Sequence, residues 1–119
     1  MLNNPNIFYK KKILIYGLGK SGLSVFKFLK KKNEITTHED KIKNSSKKIT
    51  KIKFDYIIIS PGIDINKCKL SKFLKNNSKK IYTDLDIFYN HHKENNKITI
   101  TGTNGKSTTA KILYDILKD

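Results

Sequence analysis

Two glycine-bearing stretches hold most of the residues in this chain that could do chemistry, and in both the chemistry is the holding of phosphate. The first, "KILIYGLGKSGLSVF", sets Gly17, Gly19 and Gly22 in a G-x-G-x-x-G pattern between an apolar run and a stretch of helical periodicity. Each glycine has its own task in such a loop. Gly17 permits a tight turn, Gly19 lets backbone approach a ligand, and Gly22 lets the helix lie close to the strand. The N–H groups opening the helix then face an anion with the helix dipole behind them. Glu39 and Asp40 follow about twenty residues on, where a ribose-binding carboxylate is expected. A plain glycine turn joining strand to helix satisfies the same pattern.

The second stretch, "KITITGTNGKSTTAKIL" (97–113), departs from the eight-residue phosphate loop, because Ile100 stands where that pattern has its first glycine. What remains is Gly102-x-x-Gly105-Lys106-Ser107, a shorter cradle with the same parts. Backbone amides of residues 103–107 can converge on phosphate oxygens. Lys106 can reach β- and γ-phosphates, and the Ser107 hydroxyl can ligate Mg²⁺. Thr108 can assist either task. The following helix is expected to bury Ile112, Leu113, Ile116 and Leu117 in a core.

Positioning two such loops requires strands before them and helices after. Residues 12–16 form a short apolar run that fits a buried strand, and the helix after the first loop carries Leu23, Phe26 and Leu29 at helical spacing. Residues 34–38 read as a second strand and 41–53 as a loop or weak edge element. The isoleucine-rich 54–60 reads as a strand covered on both faces, broken at Pro61-Gly62. A helix over 67–77 would turn Cys68 or Leu70, Phe73 and Leu74 inward. Residues 79–83 offer a fourth strand, and Asp84 a cap for the helix after it. The turn-rich "KENNK" (93–97) marks a domain boundary, and 98–101 starts a new strand. Strands alternating with helices in this way predict a parallel α/β sheet.

The chain has 119 residues, a formal charge of +15 and 37% hydrophobic residues. All 25 basic residues are lysine, spread over every segment. A/T-rich codon usage and a polyanion-binding surface both account for that, although the lack of arginine weakens the second. The longest aliphatic runs, 13–15 and 57–59, are far too short for a membrane span. No apolar segment follows the N-terminal charges as a signal peptide requires. Cys68 is alone, which suits a reducing cytoplasm.

With "GLGKSG", "SPGI" (60–63), "TDLDIF" (83–88) and "TGTNGKST" (101–108) in this order, the sequence resembles the Mur ligases of peptidoglycan synthesis. The first loop favours the D-glutamate-adding branch. The resemblance covers essentially the whole chain, over the family's first domain and the opening of its second. It implies a Rossmann-like domain (1–93) that holds a UDP-sugar rather than NAD. After it would come the first strand, P-loop and helix of an ATP-binding α/β domain, truncated here (94–119). Gly17, Gly19, Lys20, Ser21 and Gly22 would lie along the diphosphate, Asp40 at the uridine part, and Gly62 beside them. Gly102, Thr103, Asn104, Gly105, Lys106, Ser107 and Thr108 would hold ATP, with Ser107 on Mg²⁺. The implied enzyme is a cytoplasmic monomer without nucleic-acid or membrane partners. It would use ATP to activate the carboxylate of UDP-N-acetylmuramoyl-L-alanine as an acyl phosphate, which D-glutamate then attacks.

Departures from the family pattern concern the uridine end. "KIK" follows Asp40 where a threonine–arginine pair occurs in some members, and Asp86 replaces a commoner glutamate. His38, His91 and His92 match no ligand position and are expected at the surface or half-buried. The acids after Lys106 are Asp115 and Asp119, on or just past the helix leaving the loop, and no later strand is left for 98–101 to pair with. The chain is therefore expected to be a fragment of a longer ligase, inactive alone and without catalytic residues of its own. Other readings are a sibling ligase adding L-alanine to UDP-MurNAc, a non-catalytic Rossmann nucleotide-binding module, and a polyanion-binding protein.

Overall fold

In the computed structural model of the chain, residues 7–42 and 46–118 are described. The strands are β1 (Lys12–Tyr16), β2 (Glu34–His38), β3 (Tyr56–Ile59) and β4 (Ile81–Tyr82), all parallel, in the order β2-β1-β3-β4. The helices are α1 (Lys20–Leu29), α2 (Ser46–Ile49), α3 (Ser71–Asn76), α4 (Asp84–His91) and α5 (Lys106–Leu117).

Side chains alternate across a strand, so β3 and, past the exposed Lys12, β1, both built of apolar residues, feed two cores at once. Ile13, Ile15 and Ile58 pack with Phe8, Val25, Leu29 and Ile87, which brings α1 and α4 onto one face. Leu14, Tyr16, Ile57 and Ile59 pack with Ile49, Phe54, Leu70 and Leu74, which brings α2 and α3 onto the other. Ile13, Leu14, Ile15, Tyr16 and Ile57 are completely buried. The result is a three-layer α/β/α arrangement, as the alternation of strands and helices predicts.

Several expectations change in detail. The polar stretch after β2 is not merely loop: α2 forms there, anchored by Ile49 in the core. On α1 the inward residues are Gly22, Val25 and Leu29, with Phe26 half-buried, whereas Leu23 is 47% exposed. Residues 22, 25, 26 and 29 follow the i, i+3, i+4, i+7 rule once Gly22 sets the rotation of the helix. Asp84 is not the cap of α4. Thr83 is, its hydroxyl accepting from the Asp86 amide at 3.4 Å while the Asp86 carboxylate takes the Thr83 amide at 2.7 Å. This reciprocal capping box gives Asp86 a local structural task.

The expected strand over 98–101 does not form. A strand exists through its pairing, and among the described residues no neighbour pairs with this one. For the same reason the apolar stripe of α5 is no core: Ile112, Ile116 and Leu117 are exposed and Leu113 only half-buried. Among the described residues no helix is long and apolar enough to cross a membrane.

Candidate functional site

In a sheet of order β2-β1-β3-β4 the chain leaves β1 toward one edge and returns through β3 on the other side, so the switch point lies beyond the C-terminal ends of β1 and β3. Both connections there carry a quoted motif. Gly17–Gly22 leaves β1, and Ser60–Ile63 leaves β3 as a turn closed by the Ile63 amide on the Ser60 carbonyl at 3.1 Å. The Ser60 hydroxyl donates to the Gly17 carbonyl at 3.0 Å and ties the turns together.

The three glycines of the first loop divide as their spacing predicts. Gly17 has φ +96°, and a Cβ there would stand 2.7 Å from Ser60 Oγ. A Cβ on Gly22 would stand 1.8 Å from the Gly17 carbonyl oxygen, so this contact admits only glycine. Among the described residues Gly19 has nothing within 4 Å of such a Cβ; it and Lys20 are exposed at an open mouth. No side chain caps α1 and no acid sits in its first turn, which leaves its leading amides for an outside acceptor. Gly62 lies exposed on the turn from β3, with equally open space around it.

Two carboxylates brace this loop. Glu39 accepts from the Leu18 amide at 2.9 Å, and Asp84, at the start of α4, accepts from the Ser21 hydroxyl at 2.8 Å. Beside the loop, between α1 and α4, a cleft of about 420 Å³ is lined by Lys20, Ser21, Phe28, Phe88 and both His91 and His92. His91 is exposed and His92 half-buried, as expected of them.

His38 is a correction, since it is completely buried at the end of β2. Its ring lies 4.9 Å from that of Tyr16, and its Nε2 is 3.3 Å from Asp40 Oδ1. The Tyr16 hydroxyl donates to the same oxygen, and the Lys69 amide donates to Oδ2 at 3.2 Å. Lys69 Nζ also donates to the Asp40 backbone carbonyl. Sequence reasoning singled out Asp40 and missed Tyr16 and Lys69. A tyrosine closing an otherwise aliphatic strand was the available signal for the first; nothing in the sequence marks the second.

The electrostatics follow. Burial pushes the Tyr16 phenol up, and donation to Asp40 pushes it further. Burial alone would raise the Asp40 carboxyl, but hydrogen bonds from Tyr16, Lys69 and His38 outweigh it and hold the group below its ordinary 3.8. A phenol raised in the folded state keeps a proton that the unfolded chain releases near pH 10. Its contribution is therefore intact below about pH 10 and is lost as pH rises beyond it. Asp40 contributes above pH 3.8 and loses its contribution as pH falls through its lowered native value. Above about pH 10, wild type is expected to lose ~1.4 kcal/mol per pH unit more than Tyr16→Phe. Urea midpoints from about pH 9 to 11 check this, and parallel alkaline arms would contradict it.

The second loop opens α5 with an αL glycine, Gly105 at φ +76°, preceded by Gly102 at φ +145°. No side chain caps this helix and its first turn holds no acid. A Cβ on Gly102 would lie 3.8 Å from Lys106 Cγ, so the lysine stem folds back across the loop. Thr103, Asn104, Ser107 and Thr108 are exposed around it. These features fit a phosphate and a hydroxyl-bound Mg²⁺. The next acid along the chain, Asp115, is paired with Lys111 at 2.6 Å, and among the described residues no cluster of three or more His, Cys, Asp or Glu could hold a metal ion.

No protein-family model matches the chain, and no solved structure matches it significantly. Curated proteins do. The chain is 35% identical over 127 residues to the UDP-N-acetylmuramoylalanine–D-glutamate ligase of Rickettsia bellii, covering 95% of this chain and 28% of that protein. The enzyme of the same name from Rickettsia felis is 33% identical over 126 residues, at 94% and 28% coverage. That from Caldicellulosiruptor saccharolyticus is 31% identical over 132 residues, at 92% and 29%. The chain thus spans less than a third of the length of these relatives. Together with the parallel sheet carrying the glycine loop, this identity bears out the resemblance: the chain is a homologue of the UDP-N-acetylmuramoylalanine–D-glutamate ligases of the Mur ligase family, corresponding to their N-terminal part.

Proposed function

We propose that residues 1–93 form the UDP-sugar-binding domain of a cytoplasmic peptidoglycan-precursor ligase and that residues 94–119 open its ATP-binding domain. One observation carries the reading: Gly17 and Gly22 are locked by close contacts, while Gly19 and Lys20 stand open before uncapped amides at the switch point. A diphosphate there takes the amides of residues 20–22, with the Lys20 ammonium neutralising charge, and the Ser21 hydroxyl would join them by turning its proton from Asp84 to a phosphate oxygen. Asp40 receives the uridine part, and Gly62 leaves room for the ligand under the turn from β3. Gly102–Thr108 holds ATP through its amides, Lys106 and Ser107, with Mg²⁺ on the Ser107 hydroxyl; the metal would neutralise phosphate charge as the acyl phosphate forms. The reaction we assign to the ligase joins D-glutamate to UDP-N-acetylmuramoyl-L-alanine. Ligation also needs sequence of the kind that makes up the rest of the relatives' length, so the 119-residue chain by itself is proposed to bind without ligating.

Titration of UDP-N-acetylmuramoyl-L-alanine into the chain, followed by amide NMR, is expected to shift Gly17–Gly22, Asp40 and Gly62. NADH should leave them in place. A folded sample whose first loop does not respond, or responds only to NADH, sinks the reading; the second outcome restores the dinucleotide module.

A further inference from the structure

Of the acidic pair after β2, the structure gives the two members different work. Glu39 turns back to brace the Leu18 amide, while Asp40 is gripped from below and left open above. The Asp40 side chain is 37% exposed although its tether, His38, is 0% exposed. Oδ1 receives both the Tyr16 hydroxyl and His38 Nε2; because a carboxylate only accepts, the His38 tautomer carrying Nε2–H suits this place. Oδ2 receives the Lys69 amide, and Lys69 Nζ holds the Asp40 carbonyl from a loop 29 positions away. We propose that Tyr16, His38 and Lys69 are positioning residues for the nucleoside end of the ligand. From β1, β2 and the loop before α3 they fix the Asp40 carboxylate so that a remaining acceptor position on Oδ2 meets a donor N–H or O–H of a nucleoside diphosphate. A carboxylate with two lone-pair directions per oxygen has that capacity left, since among the described residues Oδ2 is given one donor. A flexible side chain would have to be ordered by the ligand itself, at a cost in affinity.

This inference rests on the reading of the first loop as a nucleotide site, and its test separates the two. Uridine 5′-diphosphate and inorganic pyrophosphate are titrated into the whole chain, with amide spectra reporting both fold and binding. Pyrophosphate can occupy the glycine loop but offers nothing to Asp40. Tyr16→Phe is expected to weaken UDP about fivefold, Lys69→Met, which removes the Nζ contact to the Asp40 carbonyl and keeps the amide on Oδ2, about twofold, and Asp40→Asn about tenfold or more, with pyrophosphate binding unchanged throughout. Tyr16→Phe added to Asp40→Ala should weaken UDP no further than Asp40→Ala alone, because the tether then has no acceptor to hold. Lys69 is exposed, so its variant keeps the test open even if Tyr16→Phe loosens the core. A wild-type chain that ignores UDP removes the nucleotide reading and the inference together. UDP binding that Asp40→Asn weakens but Tyr16→Phe and Lys69→Met leave intact overturns the inference alone. Equal losses for UDP and pyrophosphate would mean a general structural defect and would overturn it as well.

Discussion

Gly22→Ala is expected to pull the urea midpoint far below that of wild type, whereas Gly19→Ala, three residues away in the same motif, keeps the wild-type urea midpoint. The physical difference is what each new methyl meets. At Gly22 it would lie 1.8 Å from the Gly17 carbonyl oxygen and 2.9 Å from its carbon. Both are backbone atoms, and no rotamer change relieves them. Either α1 lifts off the sheet, stripping Val25 and Leu29 from their core, or the turn after β1 opens and loses its tie to Ser60. We expect a loss of about 4 kcal/mol or more, a large part of the 5–15 kcal/mol that holds a domain of this kind together. At Gly19 the backbone lies at φ −70° and the methyl enters open space, so the change in stability should stay within about 0.5 kcal/mol. The same methyl stands in the mouth where a diphosphate would enter, and UDP binding should fall while the fold does not. Far-UV circular dichroism with urea titration, run beside the ligand titration, separates the effects. A cooperative Gly22→Ala transition at the wild-type midpoint would show that α1 does not pack as described.

Leu74→Ala and Leu117→Ala should differ by several kcal/mol although the chemical change is identical. Leu74 is 0% exposed, packed with Tyr16, Phe54, Ile57 and Leu70 beneath the sheet, and its truncation is expected to cost about 2–5 kcal/mol through lost burial and a cavity. Leu117 is 60% exposed on α5, where truncation should change the midpoint by about 0.5 kcal/mol or less. Comparable losses at the two positions would place α5 inside the cooperative core. That in turn would contradict the unpaired state of residues 98–101.

The sequence alone determined the alternation of elements, the positions of the first two strands, and the two glycine loops. Apolar runs closed by glycine turns and helical periodicity are local signals, and a run apolar at every position announces a strand covered on both faces. It also set Gly17 at the tight turn and Gly22 at the helix–strand contact, because each duty follows from the lack of a Cβ at a fixed offset from the strand. Tertiary structure decided what depends on residues meeting across the fold. It chose the buried face of α1 through the Gly22–Gly17 contact and turned a lysine-rich stretch into a helix pinned by Ile49. Among the described residues it withheld a partner from 98–101 and a cover from the stripe of α5. It also sent Glu39 to brace the glycine loop, and set Tyr16, a buried His38 and the distant Lys69 around Asp40. Burial and hydrogen bonding of that kind are pairwise facts, fixed only when separate segments are brought within a few ångströms of one another, and no single stretch of chain encodes them.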